Sequence, residues 1–272
     1  MMKLPKRFLI CIPNFLTLCN SLCGFAAILY SLSVYEHAAK ADNSMVVLDV
    51  LSSCAWIILF AMVFDALDGF VARLLNASSL HGLQMDSLAD MVTFGLAPAV
   101  ITAIMTHWLT LNKGSWFSSA VVTYILCAVY VGCAALRLAT YNVHALLEKK
   151  SSDLFTGLPS PGAAAGVCSV VLVWEFFYDK LQPLAIWLPV YAAVLGLLMV
   201  SPIPYFHVGK YLASLKRRPK RGFLVALIIV IIIAAKLPGL VVLLNLYIFS
   251  APVIWLYKIF RNLHRTQEGA AE

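Results

Sequence analysis

Long apolar stretches separated by short polar clusters dominate this chain, at roughly residues 15–35, 46–72, 84–108, 116–141, 162–179, 184–204, 222–236 and 239–258. A hydrocarbon core of about 30 Å takes about 20 helical residues to cross, and a helix satisfies its own backbone polar groups in lipid. The pattern predicts an all-α fold, a polytopic membrane helical bundle of about eight transmembrane helices. The stretches at 162–179 and 222–236 are short for a crossing. No repeat, low-complexity tract or Gly/Ser linker divides the sequence, so residues 1–272 read as a single integral-membrane domain.

Composition agrees with the pattern. The chain is 62% hydrophobic and 12% charged, with a mean hydropathy of +0.88; soluble domains carry about twice that charge. The basic start followed by an apolar stretch resembles a secretory signal. Asn14, Thr17 and Asn20 break that stretch and it runs past signal length, so it reads as a retained first helix.

Charge then orients the bundle. With the N-terminus in the cytoplasm, that side receives Lys3, Lys6, Arg7, Lys149, Lys150, Lys210, Lys216, Arg217, Arg218, Lys220, Arg221, Lys258, Arg261 and Arg265, and the other receives Lys40, Lys113, Lys180 and Lys236. Fourteen against four, with Arg73 and Arg137 at helix ends set aside, is the positive-inside asymmetry of an even number of crossings. Both termini then face the cytoplasm. The run at 216–221 reads as a topology signal touching anionic headgroups, which accounts for the net charge of +7 without nucleic acid. The seven cysteines lack metal-ligand spacing and read as packing residues.

The chemistry concentrates at the facing ends of the second and third segments. Asp65-x-x-Asp68-Gly69-x-x-Ala72-Arg73 is followed, after eight residues, by Gly82-x-x-x-Asp86-x-x-x-Asp90. Each carboxylate near a bilayer centre costs roughly 2.5–3.5 kcal/mol, so four oppose insertion by about 10 kcal/mol unless compensated. A divalent cation is the natural compensator. On a helix Asp65 and Asp68 lie about 60° apart and about 4.5 Å along the axis. Gly69 and Ala72 lie one turn beyond them, and Gly82, Asp86 and Asp90 form a second stripe if helix begins by Gly82. The spacing leaves a notch beside the acids on both helices.

A hard cation such as Mg²⁺ takes carboxylate, phosphate and water oxygens. There it neutralises a diphosphate and polarises the phosphorus under attack. Arg73 can fork onto phosphate, and a remaining carboxylate can take a proton from an attacking hydroxyl. Phosphoryl transfer at the cytoplasmic ends of helices 2 and 3 is the reaction class this suits. Asp49, alone in the outer part of the second segment, carries no comparable pattern. Asn14, Thr17 and Asn20 share one side of the first helix, either for nucleotide contact or to bond a neighbouring helix. His81 reads as a solvated loop residue rather than a base, and His144, His207 and His264 support no ligand pattern.

The D-x-x-D-G-x-x-A-R, eight residues, G-x-x-x-D-x-x-x-D pattern resembles the signature of the CDP-alcohol phosphatidyltransferases, with every fixed position filled. The resemblance implies transfer of a phosphatidyl or similar group from a CDP-linked lipid to an alcohol, release of CMP, Mg²⁺ or Mn²⁺ as cofactor, and a homodimer. It makes Asp65, Asp68 and Asp86 metal ligands and Asp90 the general base, also touching metal. It places Gly69, Ala72, Arg73 and Gly82 at the CDP site, to which the reading of the first helix adds Asn14 and Thr17 as nucleotide contacts.

The flanks are similar to the serine-accepting branch of that family. They are Pro13 to Asn20, Asp86 to Ala99, Arg137-Leu-Ala-Thr-Tyr-Asn142 and Phe155 to Pro161. They extend the resemblance over residues 13–205 and leave two additional C-terminal helices within 222–258. The branch's usual Leu-Ala-Arg-Phe-Asn is replaced by Leu-Ala-Thr-Tyr-Asn at 138–142. A serine synthase of the phospholipase D type is excluded, because its H-x-K motif does not occur.

The implied substrates are CDP-diacylglycerol, entering from the leaflet, and L-serine from the cytosol. Arg137 or Asn142 would meet the serine carboxylate or ammonium, although Arg137 equally suits an end anchor. Phe155 to Pro161 would cap the site or simply punctuate a loop. Direct displacement of CMP is the simplest chemistry. A sister transferase using choline, glycerol 3-phosphate or inositol phosphate is the alternative. An ion-coupled transporter is a remote one, since transporters tend to repeat broken helices in matching halves and the patterned acids here lie in one 26-residue stretch.

Overall fold

The computed structural model describes residues 6–40, 44–75, 79–110, 120–147, 157–177, 182–205, 238–239, 241–259 and 261. Every long regular element among them is helical: α1 (Lys6–Lys40), α2 (Ser44–Leu74), α3 (Leu80–Asp90), a π turn (Met91–Leu96), α4 (Ala97–Thr110), α5 (Ala120–Leu147), α6 (Ser160–Phe176), a 3₁₀ turn (Gln182–Trp187), α7 (Leu188–Val200) and α8 (Val241–Ile259). Five stretches are long and apolar enough to cross a membrane: Cys11–Tyr35, Val46–Leu74, Leu80–Leu109, Ala120–Ala145 and Val241–Ile259. Ser160–Trp174 and Leu184–Val200 are shorter apolar helices. The stretch expected at 222–236 and the basic loop at 216–221 lie outside the described residues.

Helix ends depart from the apolar stretches for local reasons. The third segment starts at Leu80 rather than at 84 because Ser79 caps it, its Oγ accepting the Gly82 amide at 3.0 Å. The Gly82, Asp86, Asp90 stripe is therefore helical from its first member.

α1 and α2 form a long antiparallel pair, joined through residues 41–43. α1 also crosses α3 and the π turn, and a Cβ on Gly24 would overlap the Cα and side chain of Thr93. Only glycine permits that approach. α5 packs on α7 just as tightly, since a Cβ on Gly196 would stand 2.8 Å from the Tyr130 Cα.

Two apolar clusters hold these pairs together. One joins Leu51, Ile58, Phe94, Ile101, Met105 and Leu172; the other joins Tyr130, Leu158, Val167, Leu195, Met199 and Ile248. Large apolar side chains such as Phe15, Phe25, Phe60, Phe70, Tyr124 and Leu136 face outward, as a lipid-facing surface requires.

The far end of α7 is stitched to its neighbours. Arg137 donates to the Met199 carbonyl at 3.1 Å, and the amides of Gly157 and Leu158 donate to Ile203 and Leu198 at 2.8 and 3.0 Å. These donors meet carbonyls at and just beyond the helix end, where no intrahelical partner exists. Gly157 has φ +87°, and a side chain there would strike the Met199 carbonyl. Of the expected 155–161 cap, Gly157 and Leu158 are thus spent on closing α7 and Pro159 precedes α6; Phe155 is outside the described residues.

Candidate active site

Asp68 lies six residues before the end of α2 and Asp86 six after the start of α3, so both stand about 9 Å in from the shared end of the two helices. Equal depth lets the two stripes face each other. Oxygens of Asp65, Asp68 and Asp86 all lie within 4.8 Å of one another. Around an octahedral ion with bonds of about 2.1 Å, ligand oxygens stand about 3–4.2 Å apart, so small side-chain rotations close the set.

Asp90, the fourth expected ligand, is buried one turn further along α3 and lies outside that trio. Its Oδ1 accepts from the Asn20 amide at 3.1 Å. Asp68 is held in a similar way, its Oδ2 accepting from the Thr17 hydroxyl at 2.7 Å. The polar positions of α1 thus bond the acids of the neighbouring helices, one to each stripe.

The donor set suits a divalent cation. All three trio members are hard carboxylates, and Asp86 Oδ1 is buried with no hydrogen-bond partner among the described residues, a partner that a divalent cation would supply.

A cleft of ≈ 290 Å³ opens beside the trio, lined by Pro13, Asn14, Thr17, Asp68, Gly69, Ala72, Arg73, Ser79, Gly82, Leu83, Asp86 and Tyr141. All six residues expected at a nucleotide site line it. The two glycines serve it differently. Among the described residues nothing beyond its own helix backbone and chain neighbours lies within 4 Å of where a Cβ on Gly69 would stand, so that position opens onto the cleft. A Cβ on Gly82 would meet Ser79 Oγ at 3.1 Å and Asn14 Oδ1 at 3.3 Å, so Gly82 lets α1 close against α3.

The residues expected at the acceptor stand apart from this lining. Asn142 Oδ1 accepts from the Ser87 hydroxyl at 2.9 Å, tying α5 to the acid-bearing helix. Arg137 lies ten residues before the end of α5 rather than at it; half-buried, it donates to the Met199 carbonyl, which engages one of its five N–H donors. His81 is exposed beside the site.

Pro13, Ser79, Leu83 and Tyr141 belong to the lining without having been singled out as site residues. Ser79 had a usable signal, a serine three residues before the glycine that opens the second stripe. Tyr141 had one too, since it departs from the resembled motif.

Comparison with known proteins agrees with the geometry. The CDP-alcohol phosphatidyltransferase family profile matches residues 10–198. A CDP-diacylglycerol–serine O-phosphatidyltransferase of Helicobacter pylori is 28% identical over 98% of this chain and 100% of its own length. That of Bacillus subtilis is 33% identical over 75% of this chain and 94% of its own. An archaetidylserine synthase of Methanothermobacter thermautotrophicus is 32% identical over 75% and 73%.

Proposed function

The chain belongs to the CDP-alcohol phosphatidyltransferase family, and we infer that it transfers the phosphatidyl group of CDP-diacylglycerol to the hydroxyl of L-serine and releases CMP. One observation carries this reading: a trio of carboxylates beside a cleft of ≈ 290 Å³, in a chain whose relatives are named for serine as acceptor.

Asp65, Asp68 and Asp86 would hold Mg²⁺ or Mn²⁺. When bound, the ion neutralises the diphosphate and polarises the phosphorus under attack. Gly69, Ala72 and Gly82 give the CDP moiety room near the backbone, Asn14 and Thr17 border it from α1, and Arg73 forks onto phosphate. Asp90 takes the proton from the serine hydroxyl as the new O–P bond forms and the bond to CMP breaks. Asn20 aims that carboxylate. Arg137, through its remaining N–H donors, and Asn142 receive the serine carboxylate.

The setting follows from the same reading. The chain forms a bundle of about eight crossings in a bacterial inner membrane with both termini cytoplasmic, a distribution supported by the fourteen-to-four cation asymmetry. The reaction centre then lies at the cytoplasmic ends of α2 and α3, where soluble serine reaches it and the acyl chains remain in the leaflet. Residues 1–272 act as one domain, and the working unit is a homodimer.

The test is CMP release by purified protein in mixed micelles with CDP-diacylglycerol, Mg²⁺ or Mn²⁺, and in turn serine, choline, glycerol 3-phosphate and inositol phosphate. Release with serine that chelator abolishes is expected. Release only with another alcohol would reassign the acceptor, and none with any would remove the transferase reading.

A further inference from the structure

Immediately after Asp90 the helix changes its winding. The Ala97 amide bonds the Val92 carbonyl five residues back, and the π turn Met91–Leu96 intervenes between α3 and α4. Such a turn accommodates one extra residue. In an uninterrupted α-helix Asp90, Ala97 and Ile101 would share a face, because steps of seven and eleven residues return to within about 20°. The extra residue rotates the downstream face by about 100°. Ala97 and Ile101 can then sit in the apolar core while Asp86 and Asp90 face α1 and the other acids.

One carbonyl near the end of the turn lacks its helical donor. Pro98 has no N–H, so the Phe94 carbonyl lacks the donor an α-helix provides four residues on. That carbonyl instead accepts from the hydroxyl of Tyr130 on α5 at 2.8 Å. Tyr130 is fully buried and belongs to the α5–α7 core. On the opposite side Thr93 Oγ1 donates to the Asn20 carbonyl at 2.9 Å. Asn20, whose amide bonds Asp90, thus holds both the turn and the acid just before it.

We infer that Tyr130 is a positioning residue for Asp90: by satisfying the carbonyl that Pro98 orphans, it holds the widened turn that aims the proposed base. It touches neither substrate nor metal and acts through the backbone of the turn. The inference rests on the transferase reading above but not on which alcohol is accepted.

The test compares wild type, Tyr130→Phe and Tyr130→Phe/Pro98→Ala. Turnover is measured with whichever alcohol supports CMP release in wild type and normalised to CDP-diacylglycerol binding sites. Tyr130→Phe should bind CDP-diacylglycerol with unchanged stoichiometry and KM while kcat falls about tenfold. Pro98→Ala in that background returns an N–H to the Phe94 carbonyl, one residue beyond the Ala97–Val92 bond that closes the turn, so the turn keeps its own bonds and most of the loss should be recovered. Wild-type kcat in Tyr130→Phe would overturn the inference. So would a loss that Pro98→Ala does not recover, or loss of CDP-diacylglycerol binding, which would make Tyr130 a folding residue only.

Discussion

The Thr17 hydroxyl donates to Asp68 Oδ2 at 2.7 Å, joining the first helix to an acid 51 residues away in sequence. The same hydroxyl lies 3.1 Å from the Pro13 carbonyl. With one proton to give, it favours the shorter, charge-assisted bond. Asp68 is thereby oriented from outside the signature that contains it.

Replacing Thr17 by Val keeps shape and removes this donor. Partners of metal ligands typically govern affinity by about 10–100-fold, so Mn²⁺ affinity should fall about tenfold in Thr17→Val and stay near wild type in Thr17→Ser. A Mn²⁺ titration of the three proteins reads this directly; equal affinities would show that the bond does not orient Asp68.

Asn20→Ala removes the amide that holds Asp90. A positioned base contributes about 10²–10⁴-fold, and loss of one orienting bond should lower kcat about tenfold while the KM for CDP-diacylglycerol is unchanged. A rise in KM with constant kcat would place Asn20 in binding instead.

Gly69→Ala and Gly82→Ala should separate cleft space from helix packing. At Gly69 an added methyl meets no neighbouring helix among the described residues and alanine favours helix, so thermal stability should hold or rise while the KM for CDP-diacylglycerol increases several-fold. At Gly82 the methyl crowds Ser79 and Asn14, so the melting temperature should drop as well. Thermal melts beside steady-state kinetics distinguish the two; parallel behaviour would mean that Gly69 does not border the substrate.

How far the sequence could be read depends on whether a signal is local. The acids were legible because spacings of three and four place carboxylates on one helical face, and Ser79 makes the helix begin early enough for Gly82 to count. Asn14, Thr17 and Asn20 stood out as polar residues in an apolar run, but their partners could not be read. The bonds to Asp68 and Asp90 span 51 and 70 residues. Gly24 and Tyr130 gave no signal, since a glycine or a tyrosine in an apolar stretch looks the same wherever it packs. The π turn was hidden because face assignments assume a constant 100° per residue. For Arg137 both readings assumed a helix end, which α5 passes by ten residues, and its bond to the Met199 carbonyl spans 62 residues.

Electron paramagnetic resonance titration of Mn²⁺ tests the central claim, that acids from two helices grip one divalent cation. Saturable binding is expected in wild type and in Asp90→Asn, with serine-dependent turnover lost in the latter, and binding should be abolished or weakened at least about a hundredfold in Asp65→Asn, Asp68→Asn and Asp86→Asn. Wild-type Mn²⁺ affinity in those three variants would contradict the account.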